Sequence, residues 1–176
     1  MKVILTTILI SMTAATAAGQ ARLGAAAAAQ LKAQADECGR AFVEGDFARL
    51  ADYTHPKLLA KVGGREQLIA FLRQGVAEMK AQGFELLSYV NEAPTQVLNV
   101  GRETYAVVPG KLRARTPGGV MVSETYMIGV SADGGRRWKF VSGSSVDPAK
   151  LKILFPAAAG RLRLPAEKPP VPEPAP

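Results

Sequence analysis

The segment from Phe84 to Ser142 consists of short apolar stretches separated by turns that contain glycine. Residues 126–130 and 138–141 flank the loop Asp133-Gly134-Gly135, whose glycines accept the positive φ angles of a tight hairpin. A second hairpin is predicted around Thr116-Pro117-Gly118-Gly119. The segment therefore predicts an antiparallel meander, and the rest of the chain has to cover its apolar face.

The two turns also predict which residues share a face of the sheet. A three-residue loop places Val130 opposite Trp138, and the other turn places Gly110 opposite Glu124. Because side chains alternate along a strand, one face is predicted to be apolar and the other basic. The predicted apolar face comprises Val108, Leu112, Val120, Val122, Tyr126, Ile128, Val130, Trp138 and Phe140, and the basic face comprises Lys111, Arg113, Arg115, Ser123, Thr125, Arg137 and Lys139. Earlier strands are predicted over residues 84–91 and 95–100.

Helical segments precede the meander. A first helix is predicted over residues 24–44, ended by Gly45, and Asp46 can cap a second helix. Pro56 opens a short turn, and a third helix is predicted over residues 65–82. The predicted apolar stripes are Leu31, Ala35, Cys38 and Phe42 in the first helix, Phe47, Leu50 and Tyr53 in the second, and Leu68, Phe71, Leu72, Val76 and Met79 in the third.

This element order resembles the nuclear transport factor 2-like superfamily, which includes the polyketide-cyclase and ketosteroid-isomerase-like enzymes. The similarity covers about residues 25–142 and rests on the long first helix, the stretch Glu44-Gly45-Asp46-Phe47, the helix after Gly63-Gly64 and the terminal meander. It implies an α+β cone in which N-terminal helices pack on a curved antiparallel sheet around an apolar pocket. It also implies a homodimer formed through the outer face of the sheet. The base and hydrogen-bond donors of the isomerases do not map onto this chain position by position, and fold alone does not give function.

Both ends of the chain are expected to lie outside the domain. Residues 1–21 have a short basic start, an apolar stretch and a small-residue cleavage pattern, which is typical of a secretory signal peptide and too short for a transmembrane segment. The predicted location is therefore the periplasm or the extracellular space. The domain is assigned to residues 22–156, and the proline-rich tail, residues 157–176, is predicted to be disordered.

Candidate site residues are polar groups placed on the apolar face or near it. Glu124 in an apolar cavity would have a raised pKa and could act as an acid or base. His55 is the one histidine of the chain and has the side chain best suited to proton transfer near neutral pH. Tyr53, Tyr89, Tyr105 and Tyr126 can supply hydroxyl donors to a pocket. For each residue the alternative is ordinary packing or solvent exposure.

Other chemistries find little support in the sequence. The single cysteine, Cys38, lies on a helical apolar stripe, and no metal-ligand spacing or cofactor motif occurs. The chain carries a formal net charge of +7, but an exported protein whose basic face lacks interleaved aromatic residues is not expected to bind nucleic acid. Ser131–Trp138 resembles an Asp-box hairpin, in which Asp133 is expected to bind the loop amides and Trp138 to anchor the core.

The sequence thus favours an exported, pocket-bearing binding or interaction module without catalytic activity. Its expected partner is a small, largely apolar ligand with one polar group near Glu124, or an envelope protein that contacts the basic face. The alternative is an isomerase, dehydratase or cyclase in which Glu124 or His55 moves a proton.

Overall fold

Helices and a strongly curled antiparallel sheet form an α+β fold in the computed structural model, which describes residues 22–173. In chain order the elements are α1 (Ala25–Glu44), α2 (Phe47–Tyr53), α3 (Pro56–Lys61), α4 (Arg65–Ala81), β1 (Glu85–Asn91), β2 (Gln96–Val100), β3 (Glu103–Thr116), β4 (Gly119–Ser131), β5 (Lys139–Ser142), a 3-10 turn (Gly143–Ser145), α5 (Pro148–Leu154), α6 (Pro156–Ala159) and β6 (Val171–Pro172). The α+β fold class predicted from the sequence is confirmed. No helix in this part of the chain has the length and apolar character needed to cross a membrane. The predicted signal peptide, residues 1–21, lies outside the described residues.

The helices α1 and α4 begin and end within one residue of the predicted positions, and the predicted short turn at Pro56 is the helix α3. Gly45 ends α1 with a left-handed φ of 76°. The Asp46 side chain then accepts a hydrogen bond from the Arg49 amide and caps α2. One part of the predicted α4 stripe is wrong: Phe71 is 72% exposed, and Ile69 is buried instead.

The sheet is built around the two longest strands. Its strand order is β1-β3-β4-β5; β2 also pairs with β3, and β6 pairs with β4. β3 therefore has β4 on one side along its whole length and β1 and β2 in succession on the other. The first two strands were predicted to within one residue.

The predicted register of the last hairpin is wrong by one residue. Val130 lies opposite Lys139 and Ile128 opposite Val141, and the connection between the two strands spans residues 132–138. A one-residue shift moves every side chain to the other face. Trp138 therefore faces α1, whereas Ile128 and Val130 face the C-terminal helices.

The β3–β4 hairpin is shifted in the same way. Thr116 pairs with Gly119, so only Pro117 and Gly118 form the turn. Gly110 consequently lies opposite Thr125, and Glu124 lies opposite Lys111. The predicted pairing of Gly110 with Glu124 on an apolar face is therefore wrong.

Both faces of the sheet are covered, although one was expected to face water. α1 packs on one face in a core of Leu31, Ala35, Cys38, Val97, Ala106, Val108, Met127, Trp138 and Phe140. The segment containing α5 and α6 packs on the other face in a core of Leu98, Tyr105, Val107, Tyr126, Ile128, Val130, Val141, Val146, Leu151, Leu154, Phe155, Ala158 and Leu162. A smaller cluster joins α2 to α4 through Phe47, Ala51, Leu68 and Ile69.

The C-terminal segment makes hydrogen bonds to the sheet as far as Glu173, the last residue that the structure describes. The Gln96 side chain donates to the Arg161 carbonyl at 2.9 Å and accepts from the Arg163 amide at 2.8 Å. Farther on, the Glu173 amide donates to the Val120 carbonyl, and the Glu173 carboxylate accepts two hydrogen bonds from Arg113. Proline removes an N–H donor but leaves side-chain packing and the remaining backbone bonds possible.

Much of the predicted basic face is neutralised within the chain. Lys111 pairs with Glu92, Arg113 with Glu173, and Arg115 with Glu85. Two other members of the predicted face, Ser123 and Thr125, lie on the α1 side with Gly110 and Leu112. The three ion pairs are half-exposed, so each contributes little to stability, but together they leave less free charge than the composition suggests.

Candidate functional site

An apolar chamber of about 280 Å³ lies between α1, α2, α4 and the sheet. Its apolar walls come from Cys38, Phe42, Leu50, Leu58, Leu68, Leu72, Tyr89, Met127 and Phe140. Thr54, Ser142, Ser144 and Ser145 supply hydroxyl groups to the lining. The sequence predicted most of the apolar residues as helix core, and it gave no signal that they surround a cavity.

A larger groove of about 700 Å³ adjoins the chamber. The two share the lining residues Phe42, Tyr89, Ser142 and Ser144. The groove is bounded by the middle of β4 and by the segment Pro165–Pro170, and its charged lining consists of Glu92, Lys111, Glu124, Glu167 and Lys168. An apolar space therefore opens beside a polar one, as an amphipathic ligand would require.

Tyr89 stands at the junction of chamber and groove and is held there by two glycines. A Cβ atom at Gly39 of α1 would lie 2.8 Å from Tyr89 Cδ1, and one at Gly110 of β3 would lie 2.8 Å from Tyr89 Cε1. Both positions therefore have to lack a side chain for the ring to pass between helix and sheet. Burial raises the pKa of Tyr89 to about 12, against the effect of a hydrogen bond with Thr125, so the hydroxyl stays protonated at neutral pH.

Glu124 lines the groove but does not have the properties expected of a catalytic acid. Its side chain is 55% exposed, and its carboxylate lies 2.6 Å from Lys168 Nζ. The hydrogen bond and the charge of Lys168 lower the pKa of Glu124. The expected raised pKa in an apolar cavity is therefore wrong, because the corrected register points this carboxylate toward Lys111 and the C-terminal segment.

Tyr126 lines the groove from the same face of β4. Its ring packs over Gly143, where an added Cβ atom would lie 2.6 Å from the ring carbons. Burial, followed by the nearby charge of Glu167, raises the pKa of Tyr126. The structure thus brings together three of the predicted ligand-binding residues, Tyr89, Glu124 and Tyr126.

His55 has a structural role away from both cavities. Its Nδ1 accepts a hydrogen bond from the Lys57 amide at 3.2 Å and caps α3, while its own amide donates to the Phe140 carbonyl. The ring packs edge-on against Phe155 at 4.9 Å. Tyr53 also lies outside the lining, beside the Phe140 ring. His55 and Tyr53 therefore line neither the chamber nor the groove.

The lowered pKa of His55 predicts that the protein loses stability at acidic pH. Burial lowers this pKa below its ordinary value of 6.5, with Lys57 as the next cause. The unfolded state therefore takes up a proton first as the pH falls below about 6.5, and stability is lost across the window down to the folded pKa. His55→Asn keeps an N-cap acceptor and removes the titration. We expect urea unfolding at pH 7.5 and 5.5 to show a smaller pH-dependent loss for His55→Asn than for the native chain; equal losses would contradict the prediction.

The Asp-box-like loop is structural, as the sequence predicted. The Asp133 carboxylate accepts hydrogen bonds from the amides of Arg136 and Arg137 at 3.1 and 2.9 Å. Its hydrogen bonds with Arg137, from side chain and backbone, hold the pKa of Asp133 well below its usual range. Trp138 is buried, and its Nε1 donates to the Gly135 carbonyl. Asp133 therefore organises the hairpin.

Cys38 lines the chamber as a buried free thiol. Burial raises the pKa of this thiol to about 12, so the thiolate that a nucleophile or metal ligand requires does not form at neutral pH. Within residues 22–173, no three histidine, cysteine, aspartate or glutamate side chains come together in a way that could hold a metal ion.

Comparisons with known proteins supply no family. No family model matches the chain, and no curated protein matches it in sequence. What the chain binds therefore has to be inferred from the chamber and the groove.

Proposed function

We propose that this chain is an exported, non-catalytic binding module of the nuclear transport factor 2-like type, which takes a small, largely apolar ligand. The apolar part of the ligand occupies the chamber, and its polar group lies in the groove near Tyr89, Tyr126 and Glu124. The order of the elements and the curled antiparallel sheet support the superfamily assignment. The signal-peptide-like pattern of residues 1–21 supports the proposal of export.

One observation carries the proposal: the chamber and the groove share Phe42, Tyr89, Ser142 and Ser144. Ligand sites are typically lined by apolar side chains with a few polar groups that fix orientation, and they measure roughly 300–1,000 Å³. The chamber, at about 280 Å³, lies near the lower end of that range. A ligand that fills it has to extend its polar end past Tyr89 into the groove.

The electrostatics of the site favour binding over proton transfer. A general base has to lie within hydrogen-bonding reach of the proton that it removes and to have a suitable pKa. Glu124 is paired with Lys168 and has a lowered pKa, while the Nδ1 of His55 is engaged as a helix cap. The protonated hydroxyls of Tyr89 and Tyr126 can instead donate hydrogen bonds to a ligand without changing it.

A pair of neighbouring residues on α4 tests the chamber. Leu72 lines it, whereas Phe71 is 72% exposed and lies outside the lining. We expect Leu72→Asp to weaken binding of the amphipathic dye 1-anilinonaphthalene-8-sulfonate by about fivefold or more, because an unpaired polar group in an apolar site costs about 1–3 kcal/mol. Fluorescence titration measures the affinity, and circular dichroism checks that the variant is folded.

Phe71→Asp is the matched control, since it places the same charge on the preceding residue of the same helix. At that position the side chain is exposed to solvent. Its dye affinity is expected to stay within about twofold of the native value, a shift of about 0.4 kcal/mol. Equal affinities for the two variants, or no saturable binding by the native chain, would rule out the chamber as the binding site. Native mass spectrometry of the purified protein then identifies any ligand carried through purification.

A further inference from the structure

The segment Pro165–Glu173, which we call the strap, lies on the surface of the domain. Every residue from Pro165 to Pro172 is exposed, and Glu173 is half-buried. The last buried residue before the strap is Leu162, and Leu164 packs half-buried against the same core. Burial of apolar surface therefore holds α5 and α6 on the sheet but contributes little to holding the strap.

The backbone pairing of the strap with the sheet is short. β6 pairs with residues 121–122 of β4, and the Glu173 amide donates to the Val120 carbonyl at 2.9 Å. Four residues of the strap are prolines, which have no N–H to donate. A segment with few backbone hydrogen bonds and little buried apolar surface opens locally while the rest of the domain stays folded.

Two ion pairs supply the remaining attachment of the strap. Arg113 donates two hydrogen bonds to the Glu173 carboxylate at 2.8 and 2.6 Å, and Lys168 Nζ lies 2.6 Å from the Glu124 carboxylate. The four side chains are 33–64% exposed. Ion pairs as exposed as these are weak, and salt screens them. The closed position of the strap therefore depends on contacts that a single substitution can remove.

The strap also forms one wall of the groove. The strap residues in the lining are Pro165, Ala166, Glu167, Lys168 and Pro170. The groove meets the chamber at Phe42, Tyr89, Ser142 and Ser144. When the strap leaves the sheet, the groove loses this wall, and the junction with the chamber becomes more accessible.

We propose that the strap is a gate, which detaches from β4 to admit a ligand to the groove and then closes over the polar end of the ligand. Binding and closure are coupled, because a ligand that contacts the closed strap binds the closed state more tightly and shifts the equilibrium toward it. This proposal rests on the proposed function, since it requires the polar end of the ligand to lie in the groove.

Two substitutions on β3 test the gate in the full chain. Arg113→Gln removes the ion pair with the strap, whereas Arg115→Gln, the matched control, removes the same charge and an exposed ion pair with Glu85 of β1. Neither arginine lines the groove or the chamber. Hydrogen exchange of the Glu173 amide, measured by NMR, is expected to be about threefold faster or more in Arg113→Gln, as for the loss of an exposed ion pair, and within about 1.5-fold of the native rate in Arg115→Gln.

Stopped-flow fluorescence with 1-anilinonaphthalene-8-sulfonate measures entry into the site. Because the ligand enters while the strap is open, Arg113→Gln is expected to raise the association rate constant about threefold, and Arg115→Gln to leave it within about 1.5-fold of the native value. Loss of a positive charge by itself slows the association of this anionic dye, so the expected increase is opposite in sign to the electrostatic effect. Saturating dye is expected to slow exchange of the Glu173 amide in the native chain by at least about threefold.

Two further variants complete the test. Glu173→Gln removes the same ion pair from the side of the strap and is expected to behave as Arg113→Gln does. The double variant Arg113→Glu with Glu173→Arg reverses the pair and is expected to return the association rate to within about twofold of the native value. Equal association rates for Arg113→Gln and Arg115→Gln, or exchange at Glu173 that the dye does not change, overturn the gate and leave the binding chamber in place. If the native chain shows no saturable dye binding, the proposed function fails and the gate fails with it.

Discussion

Phe155→Ala is expected to lower the free energy of unfolding by about 3–5 kcal/mol, the range for truncating a large buried aromatic residue. Phe155 is 1% exposed. Its ring meets Tyr105 at 5.5 Å and His55 at 4.9 Å, both edge-on, and the Lys57 amino group lies over it. Urea unfolding followed by the fluorescence of the single tryptophan, Trp138, measures the change.

Ile153→Ala provides the control for this prediction. Ile153 lies two residues earlier on α5 and is 64% exposed. Its truncation is expected to change stability by less than about 0.5 kcal/mol, as for most surface positions. If Phe155→Ala cost no more than Ile153→Ala, the C-terminal helices would not cover the second face of the sheet.

Local signals in the sequence were sufficient for the helices and the early strands. Gly45 and Asp46 end one helix and begin the next through their own backbone and side-chain chemistry, and the structure shows both effects. Such signals act over a few residues. They can therefore be recognised in the sequence without knowledge of the tertiary structure.

Strand register could not be predicted because it depends on how many residues each connection holds. A loop centred on Asp133-Gly134-Gly135 fits a tight hairpin. In the structure the loop amides of Gly135 and Arg136 donate hydrogen bonds to the side chains of Ser131 and Asp133, and the connection spans residues 132–138. A register shift of one residue moves each side chain of the strand to the other face of the sheet. The β3–β4 hairpin is shifted by one residue as well, which places Glu124 opposite Lys111 and removes it from the face on which it was predicted.

The C-terminal segment contained signals that its proline content obscured. Asp147 and Pro148 are favourable residues for a helix start, and Asp147 does cap α5. Leu151, Leu154 and Phe155 then follow at helical spacing and are buried. These residues lie within the predicted domain, residues 22–156, but no helix was predicted for them, and their burial packs α5 on the sheet.

The chamber is a property of packing and has no signature in the sequence. Leu68 and Leu72 have the same spacing whether the space before them is filled or empty. Tyr89 could be proposed as a pocket residue only because it is an aromatic residue with a hydroxyl. Its fixed position depends on Gly39 and Gly110, which lie far apart in the chain. Contacts of this kind, between residues far apart in the sequence, determine where a ligand can bind.

Trp138→Ala is expected to be as damaging as Phe155→Ala, at about 3–5 kcal/mol. The indole is 1% exposed and belongs to the core between α1 and the sheet. Its Nε1 donates to the Gly135 carbonyl at 3.0 Å, and the Trp138 amide donates to the Gln34 side chain at 2.8 Å. The variant lacks the only tryptophan, so circular dichroism during thermal and urea unfolding is the appropriate measurement.

Trp138→Phe separates packing from the indole hydrogen bond. It keeps an aromatic ring in the core and loses one neutral hydrogen bond, which contributes about 0.5–1.5 kcal/mol, together with part of the buried volume. We therefore expect the order native, Trp138→Phe, Trp138→Ala in decreasing stability. Equal stabilities for the two variants would mean that the ring is not packed against α1. In that case the wall of the chamber formed by Cys38 and Phe140, which belong to the same core, would lose its support.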